Sequence, residues 1–342
     1  MKVGFCGLGN MGQVHLANAL KIDGVEVTAL CDSDRERLSL ASAVKGNIRF
    51  ERTRDTLDQV PRFSDFARML GEAELDAVVI AVPTDLHAEF AVAALHAGIH
   101  VFSEKPIALT VQDAERMCGA ARDRGRILFI GHVVRFFPAY RKIHELIRSQ
   151  KHGPVLAAEF SRACGLPGWG ARATGERSWF TDPARSGGMP VDLHIHDTDF
   201  ILYSLGAPPA VRAFRAHDGR TGVDVLRTVY LYENALVTSH GAWLQQSAPF
   251  SAWARVTFER AAVFFHSDFR GRLQLYPADG ERREVELSQV DGYEAELREF
   301  FRCIDAGEPS PLAPPESALQ TLRVIYQEIE SARLGEAVEV TG

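Results

Sequence analysis

In the first part of the chain, up to about residue 130, short apolar runs alternate with stretches in which apolar residues recur at helical spacing. The apolar runs predict strands at residues 2–6, 25–30, 77–82, 100–103 and 127–130. The stretches with helical spacing predict helices, one ending near residue 21 and others at 34–44, 63–70, 85–97 and 111–124. A polar loop is predicted at 46–59. Thr110 should cap the last of these helices, and Gly125 follows its end. The alternation predicts a doubly wound parallel sheet.

The second part of the chain has a different rhythm, because most of its apolar runs follow one another without a helix between them. Strands are predicted at residues 155–162, 211–216, 223–232, 236–243, 254–265 and 272–276, and helices at 190–205, 293–306 and 316–334. This pattern predicts an α+β domain with a large, mostly antiparallel open sheet. A length of 342 residues also favours two domains. We place them at residues 1–127 and 128–342.

Composition narrows the class of protein. The chain is 46% hydrophobic and 24% charged, which is ordinary for a globular protein. A formal net charge of −7 without basic runs argues against a nucleic-acid partner. The longest apolar runs are too short to cross a membrane, and the first strand leaves no room for a signal peptide. Five scattered cysteines without metal-type spacing predict thiols rather than disulfides. We therefore expect a cytoplasmic protein with no membrane partner.

A glycine-rich motif, GLGNMG at residues 7–12, joins the first strand to the first helix. Gly7 allows a tight turn, Gly9 lets a pyrophosphate approach the backbone, and Gly12 lets the helix pack against the strand. The N–H groups at the start of the helix, where Asn10 and Met11 lie, would receive the pyrophosphate. The motif therefore predicts a dinucleotide-binding site. The alternative is a glycine-rich turn of another α/β protein.

An acid follows the second strand at Asp32, twenty residues after Gly12. A carboxylate at this point accepts hydrogen bonds from the adenosine ribose hydroxyls and repels a 2′-phosphate, which favours NAD over NADP. Arg35 and Arg37 lie close enough to leave NADP possible.

A candidate catalytic lysine, Lys105, lies between Glu104 and Pro106 at the carboxyl end of a predicted strand. Open α/β sheets bind their ligands at this edge, and a residue before proline is restricted to extended backbone. A lysine beside a bound nicotinamide could donate to an alcohol oxygen or stabilise an alkoxide. The alternative is a surface lysine in a loop.

A second group of candidates lies on the helix predicted at 190–205. Asp192, His196 and Asp199 are spaced to share one helical face, and a carboxylate beside an imidazole can orient a general base. His194 and Asp197 lie elsewhere on the helix, where a structural or solvent-facing role is expected. Because the two histidines lie on different faces, no metal site is predicted.

Several motifs together resemble the glucose–fructose oxidoreductase/inositol dehydrogenase (Gfo/Idh/MocA) family over nearly the whole chain. They are GLGNMG at 7–12, AVPTDLHAEFAVAALHAGIHVFSEKPIAL at 81–109, GGMPVDLHIHDTDF at 187–200, and the closing segments YEAELREFF and ESALQTLRVIYQEIESARLG. The resemblance implies a Rossmann domain followed by an α+β domain. The open sheet of that second domain is commonly an oligomer interface, giving homodimers or homotetramers.

The resemblance also implies roles for individual residues. Lys105 would assist proton transfer, in a Lys–Pro peptide that is often cis, while Asp192 would bind substrate and His196 would be the catalytic histidine. The residues implied at the nicotinamide ribose are Thr84, His87 and Glu104. The residues implied at the substrate are His132, Arg135 and Asp199, with a structural ion pair an equal alternative for Arg135.

One segment, residues 165–183, departs from a simple strand or helix pattern and precedes the catalytic helix. Trp169 and Trp179 could stack on a sugar, and Arg172 or Arg177 could meet an anionic group, with ordinary packing as the alternative for each. His194 stands where many members of the family carry glycine.

These observations lead to one expected function. We expect an NAD(P)-dependent dehydrogenase that transfers a hydride between the nicotinamide and a CH–OH group of a sugar, an inositol-like polyol or a sugar derivative. The alternatives are an NAD-dependent glycoside hydrolase and a non-catalytic regulator that senses NAD or a sugar. The presence of Lys105, Asp192 and His196 weighs against an inactive site.

Overall fold

The computed structural model describes residues 1–39, 57–167, 178–217, 224–244, 248–267 and 272–341. The chain forms two compact units. The first unit comprises Met1–Val133 and Tyr293–Leu319, and the second comprises Val134–Gly292 and Gln320–Gly342. The domain boundary that we placed after residue 127 stays a prediction.

The first unit contains a six-stranded sheet. Its strands are β1 (Lys2–Cys6), β2 (Glu26–Cys31), β3 (Arg62–Phe63), β4 (Ala77–Ile80), β5 (His100–Glu104) and β6 (Leu128–Gly131). They are parallel throughout and lie in the order β3-β2-β1-β4-β5-β6. The predicted doubly wound sheet is confirmed. Because the order reverses between β1 and β4, the carboxyl ends of these strands form the switch point where such sheets bind ligands.

Helices connect these strands. They are α1 (Asn10–Ala19), α2 (Arg35–Leu38), α3 (Phe66–Glu72), α4 (His87–His96) and α5 (Val111–Arg124). The end signals predicted for α5 are confirmed, because the Thr110 hydroxyl accepts the Asp113 N–H and Gly125 adopts the left-handed conformation with φ of 57°. Residues 40–56, with most of the loop predicted at 46–59, lie outside the described residues.

The helix predicted at 63–70 was wrong at its start. Phe63 belongs to β3, which pairs with β2. The helix begins only at Phe66, because the Asp65 carboxylate caps it by accepting the Arg68 N–H at 2.8 Å. Helical spacing of the apolar residues continues across this boundary, so the pattern alone did not separate the strand from the helix.

The second unit contains a nine-stranded sheet in the order β14-β13-β12-β11-β7-β10-β9-β8-β15. Its strands are β7 (Val155–Gly165), β8 (Ala210–Ala216), β9 (Val225–Leu231), β10 (Leu236–Leu244), β11 (Ser251–Phe258), β12 (Ala261–His266), β13 (Leu273–Pro277), β14 (Arg283–Val285) and β15 (Val338–Glu339). Only β7 and β10 pair in parallel among these neighbours in the described structure. The predicted large, mostly antiparallel sheet is confirmed.

The single strand predicted at 254–265 was wrong. The chain turns at Glu259 and Arg260 and forms the two antiparallel strands β11 and β12. The N–H groups of these two residues donate to the carbonyl oxygens of Pro154 and His152, which fixes the turn. Because apolar residues flank this two-residue turn on both sides, their pattern predicts one continuous strand.

Helices α6 (Pro138–Ser149), α8 (Ile195–Leu205) and α10 (Pro315–Leu334) contribute to the core of the nine-stranded sheet, and the short α7 (Pro183–Ser186) precedes α8. Helix α9 (Gly292–Ala306) belongs from Tyr293 on to the first unit, where Phe300 packs against Phe102 and Phe129. A buried cluster joins Tyr140 of α6, Phe200 of α8 and Val324 of α10 to inward residues such as Phe160 and Val256. Helix α6 was not predicted, although its buried residues recur at helical spacing. No helix of the described residues is long and apolar enough to span a membrane.

The five cysteines, at positions 6, 31, 118, 164 and 303, are buried thiols and form no disulfide, as the sequence predicted.

The start of β5 should make stability depend on pH. The half-buried His100 accepts the Ile127 N–H on Nδ1 at 2.9 Å, so a proton added at Nδ1 would break this bond. Burial and the Arg126 guanidinium lower the pKa of His100. The unfolded chain therefore binds a proton more readily, and stability falls as the pH decreases below about 6.5.

We expect the contribution of His100 to stability to decrease between about pH 7.5 and pH 5, and to be small because water screens this half-buried group. The measurement is urea unfolding at both pH values. His100→Asn keeps an acceptor near the position of Nδ1 and does not titrate, so its stability should vary less with pH. Equal pH dependence in the variant and the wild type would contradict the prediction.

Candidate active site

The glycine-rich loop between β1 and α1 has the geometry that a diphosphate requires. Gly7 has φ of 88°, and a Cβ on it would overlap the Ala81 carbonyl. A Cβ on Gly12 would overlap the Gly7 carbonyl. A Cβ on Gly9, in contrast, would have no described atom within 4 Å, so open space lies beside the backbone there. The loop is therefore closed at Gly7 and Gly12 and open at Gly9.

The start of α1 faces this open space. Gly9 is its N-cap and offers no side chain to satisfy the first N–H groups of the helix. The Oδ1 atom of Asn10 is buried and has no hydrogen-bond partner among the described residues. Met11 follows in the same first turn. N–H donors without a side-chain cap at a helix N-terminus fit the pyrophosphate of a dinucleotide, and the Asn10 oxygen can accept only from a donor group such as a ribose hydroxyl.

Asp32 ties the end of β2 to the glycine-rich loop. Its Oδ2 accepts the Leu8 N–H at 2.7 Å, and its Oδ1 accepts the Asp34 N–H at 2.8 Å. The side chain is 7% exposed. Each carboxylate oxygen can accept a further bond, so ribose hydroxyls can still be received. Contact with the ribose stays a prediction.

Lys105 follows β5 at the carboxyl edge of the six-stranded sheet and forms a cis peptide with Pro106. The Lys105 N–H donates to Glu104 Oε2 at 3.1 Å, and the His15 ring donates from Nε2 to Glu104 Oε1 at 2.6 Å. Burial opposes ionisation of Glu104, but the hydrogen bond and charge of His15 outweigh it and lower the pKa of Glu104. A buried carboxylate thus links α1 to the backbone of Lys105.

His15, Glu104 and the buried Glu296 of α9 bring their ring nitrogen and carboxylate oxygens within 4.8 Å of one another. These are residue types that bind metals. However, two ligands on one ion at about 2.1 Å lie roughly 3 Å or more apart. His15 and Glu104 approach to 2.6 Å, so they are hydrogen-bonded to each other rather than placed around an ion.

His87 holds the other side of the lysine loop. Its Nδ1 lies 2.8 Å from the Pro106 carbonyl oxygen, and its Nε2 lies 3.0 Å from the Val82 carbonyl oxygen. The ring is buried, and burial lowers the pKa of His87. Both nitrogens lie beside backbone carbonyl oxygens, and a neutral ring can donate to one of them, so the observed role is to hold the loop after β4 against the loop after β5. Contact of His87, Glu104 and the buried Thr84 with the nicotinamide ribose stays a prediction.

The second unit carries the other candidates on the predicted helix 190–205, which is confirmed as a helical segment with a π turn at its start. The π turn spans Pro190–His194 and continues directly into α8. Asp192 lies in this turn and His196 in the first turn of α8, and both side chains are half-buried. Such π turns occur frequently at functional sites. The roles of the two residues stay predictions.

Arg135 and Asp199 form a buried, bidentate ion pair. Arg135 Nε donates to Asp199 Oδ2 at 2.8 Å and Nη2 donates to Oδ1 at 2.5 Å. The Thr321 hydroxyl also donates to Oδ1, at 3.0 Å. The structural ion pair considered for Arg135 is therefore present. Substrate contact by Arg135, Asp199 and the buried His132 stays a prediction.

His194 and Asp197 are buried, so the solvent-facing alternative was wrong and the structural one is confirmed. Asp197 pairs with Arg162 at 3.0 Å, and His194 pairs with Glu328 at 3.0 Å. Polar side chains this deep in a core are costly unless hydrogen bonds or ion pairs satisfy them.

Trp179 lies in a short 3₁₀ turn, where its half-buried ring stacks on Phe180 at 3.8 Å. Stacking on a sugar stays a prediction for this residue. Trp169, Arg172 and Arg177 lie outside the described residues.

Three residues with clear roles in these arrangements were missed in the sequence: His15, Arg162 and Glu328. Each lies among apolar residues on a helix or strand that packs into a core. A charged or titratable residue at a buried position of an amphipathic pattern is the signal that could have identified them.

The chain matches two protein-family models. The model of an oxidoreductase family with an NAD-binding Rossmann fold matches residues 1–132, and the GFO/IDH/MocA C-terminal domain model matches residues 140–263. A 1,5-anhydro-D-fructose reductase of Ensifer adhaerens is 27% identical over 355 residues, covering 98% of each chain. A myo-inositol 2-dehydrogenase of Thermotoga maritima is 25% identical over 367 residues, covering 100% of each.

A solved structure of levoglucosan dehydrogenase in complex with NADH and levoglucosan has a TM-score of 0.83 and 20% identity, with 100% of both chains covered. At this identity the likeness shows the fold. The two family models together cover most of the chain, and they match in the same order as the two sheets follow along it. The chain thus belongs to the GFO/IDH/MocA family of NAD-binding oxidoreductases.

Proposed function

We propose that this oxidoreductase transfers a hydride between the nicotinamide of NAD and a CH–OH group of a sugar, a polyol or a sugar derivative. The observation that carries the proposal is the fixed lysine loop. Lys105 lies at the carboxyl edge of the six-stranded sheet, where Glu104 holds its N–H and His87 lies against the next carbonyl. A lysine held in this way at a dinucleotide-binding edge is placed to act on a bound hydroxyl.

In the proposed reaction, the loop of Gly7, Gly9 and Gly12 would hold NAD, which would supply the hydride acceptor for the carbon that carries the hydroxyl. Lys105 stabilises the negative charge that develops on the oxygen, because its ammonium group is a compact hydrogen-bond donor. His196 accepts the hydroxyl proton, and Asp192 orients the His196 ring. Protons and charge balance, since the alcohol loses one hydride and one proton to become a carbonyl.

The substrate class rests on the relatives. Their names describe enzymes that act on an anhydro sugar and on an inositol. Both are ring compounds with several secondary hydroxyl groups. We propose that this chain acts on a compound of the same kind.

The test is nicotinamide absorbance during incubation with NAD or NADP across a panel of inositols, aldoses, anhydro sugars, sugar acids and amino sugars. The panel is also run in the reverse direction, with NADH or NADPH and the corresponding keto compounds. Turnover with one class of sugar or polyol supports the proposal. Protein that binds NAD, as tested by fluorescence, but turns over nothing in either direction would overturn it.

Cofactor preference should depend on the charge of Asp32. Asp32→Asn keeps an acceptor in the loop and removes the charge that repels a 2′-phosphate. We expect the ratio of kcat/KM for NAD to that for NADP to fall at least about 10-fold, which corresponds to about 1.4 kcal/mol. Glu72→Gln, which removes one partner of an exposed ion pair with Arg68 on α3, is the control and should leave the ratio unchanged. An unchanged ratio in Asp32→Asn would show that the preference lies elsewhere.

We also propose that the chain forms a homodimer or homotetramer through the outer face of the nine-stranded sheet. Phe214, Leu231 and Leu236 lie on this face and are 53%, 39% and 60% exposed. Leu231 and Leu236 are cross-strand partners, so they form a continuous apolar surface. Light scattering after size-exclusion chromatography should report a dimer or a tetramer, and Leu236→Glu should shift it toward the monomer. Leu334→Glu, an exposed change on α10, is the control.

A further inference from the structure

A buried polar network in the second unit has no part in the proposed chemistry. Its centre is the Glu328 carboxylate of α10, which is fully buried. Oε1 accepts the hydroxyls of Thr198 at 2.9 Å and Tyr230 at 3.0 Å, and Oε2 accepts the Thr228 hydroxyl at 2.8 Å. His194 Nε2 lies 3.0 Å from Oε2. The carboxylate is therefore surrounded by four donors.

The network reaches the helical segment that carries Asp192 and His196 through His194. The Nε2 atom of His194 also lies 3.0 Å from the Ser239 hydroxyl oxygen of β10. The other edge of the ring packs against β10, where a Cβ on Gly241 would lie 2.5 Å from His194 Nδ1. The ring is therefore fixed by hydrogen bonds on one edge and by backbone contact on the other.

His194 is the last residue of the π turn, and Asp192 and His196 lie two residues before and after it. Neither the helix backbone nor the turn can shift without moving the ring of His194 out of its site. A buried carboxylate and imidazole are costly to keep in a core that could be filled by apolar side chains. Their presence on the helical segment that carries the two candidate catalytic residues suggests a role beyond packing.

We infer that His194 and Glu328 are positioning residues, which hold the π turn so that Asp192 and His196 are presented in a fixed arrangement. The inference rests on the proposed function for what those two residues do, and on the contacts above for how they are held. As positioning residues, His194 and Glu328 do not contact substrate. They act through the backbone of the turn.

The first test variant is Glu328→Gln, which keeps the size of the side chain but removes the charge opposite His194. We expect kcat to fall about 10-fold to 100-fold with KM for NAD within about twofold, because cofactor binding does not involve this network. The midpoint of the pH profile of kcat should also move by at least about half a pH unit, since the surroundings of the general base change. Thr228→Val removes one donor to Glu328 Oε2, the oxygen that faces His194. It should change kcat and the pH profile in the same direction as Glu328→Gln, but less.

His194→Gln and His194→Ala form a matched pair. Gln can still donate to Glu328, so it should retain more of kcat than Ala. Ser331→Ala is the control for disturbing α10, since Ser331 is fully buried and bonds Ala213 and Glu336 instead of the π turn. It should lower stability without moving the pH profile.

A second readout does not depend on turnover. The imidazole of His196 is titrated by NMR in protein labelled at histidine, with His196→Gln used for assignment. If its midpoint moves in Glu328→Gln and not in Ser331→Ala, the positioning role is supported even where no substrate is turned over. Folded Glu328→Gln and Thr228→Val with wild-type kcat, pH profile and His196 midpoint would overturn the inference.

Discussion

Replacing Lys105 by methionine is expected to lower kcat for nicotinamide reduction by about 10²-fold to 10⁴-fold. Methionine keeps most of the length and apolar volume of lysine but has neither the charge nor the donors. The backbone of the loop should stay in place, because Glu104 and His87 hold main-chain atoms of residues 105 and 106 rather than the lysine side chain. NAD affinity, measured by fluorescence, should therefore change little.

A matched control is Lys142→Met, an exposed lysine on α6 that pairs with Glu145. It should leave kcat unchanged. His196→Gln should cause a loss similar to that of Lys105→Met. If both residues act in the same proton transfer, the double variant should lose far less than the product of the two single losses. Independent, multiplicative losses would mean that the two residues do not share a step, and wild-type kcat in Lys105→Met would remove Lys105 from the mechanism.

Local signals predicted the first unit well. The glycine spacing at residues 7–12, the apolar runs of the strands and the signals at Thr110 and Gly125 each depend on residues that are close in sequence. The positions they specify are confirmed, including the parallel sheet. Where two elements share one apolar pattern, as at Phe63 and at Glu259 with Arg260, the prediction joined or misassigned them. The turn at Glu259 and Arg260 lacks glycine, proline or asparagine and is fixed by the distant carbonyls of His152 and Pro154, so its only local signal is the charged pair itself.

The candidate site was predictable as a set of residue types and less so as a set of partners. Lys105 and the pair Asp192 and His196 are identified by motif alone. The bond from His15 to Glu104 spans 89 positions, and the bond from Thr198 to Glu328 spans 130. Spacing along one chain cannot specify such contacts, because only the packing of whole elements brings the groups together. The contacts of His87 with the carbonyls of Val82 and Pro106 were likewise not predicted, and its contact with the cofactor stays a prediction.

Removing one partner of the ion pair of Arg135 and Asp199 should strongly destabilise the second unit. The side chains are 2% and 0% exposed, so neither charge has water as an alternative partner. Asp199→Asn keeps an acceptor for Thr321 but removes the carboxylate charge that faces the buried guanidinium. We expect the free energy of unfolding to fall by about 3–5 kcal/mol, measured by urea denaturation near neutral pH.

The control for this change is Glu330→Gln, which removes one partner of an exposed ion pair with Arg333. It should cost less than about 1 kcal/mol, because water replaces the lost partner. The double variant Arg135→Met with Asp199→Leu removes both charges and should recover much of the stability, since no buried charge remains unpaired. The same variants separate the two roles considered for these residues. A raised substrate KM with unchanged stability in Asp199→Asn would favour substrate contact, whereas a loss of stability that the double variant recovers would establish the pair as structural.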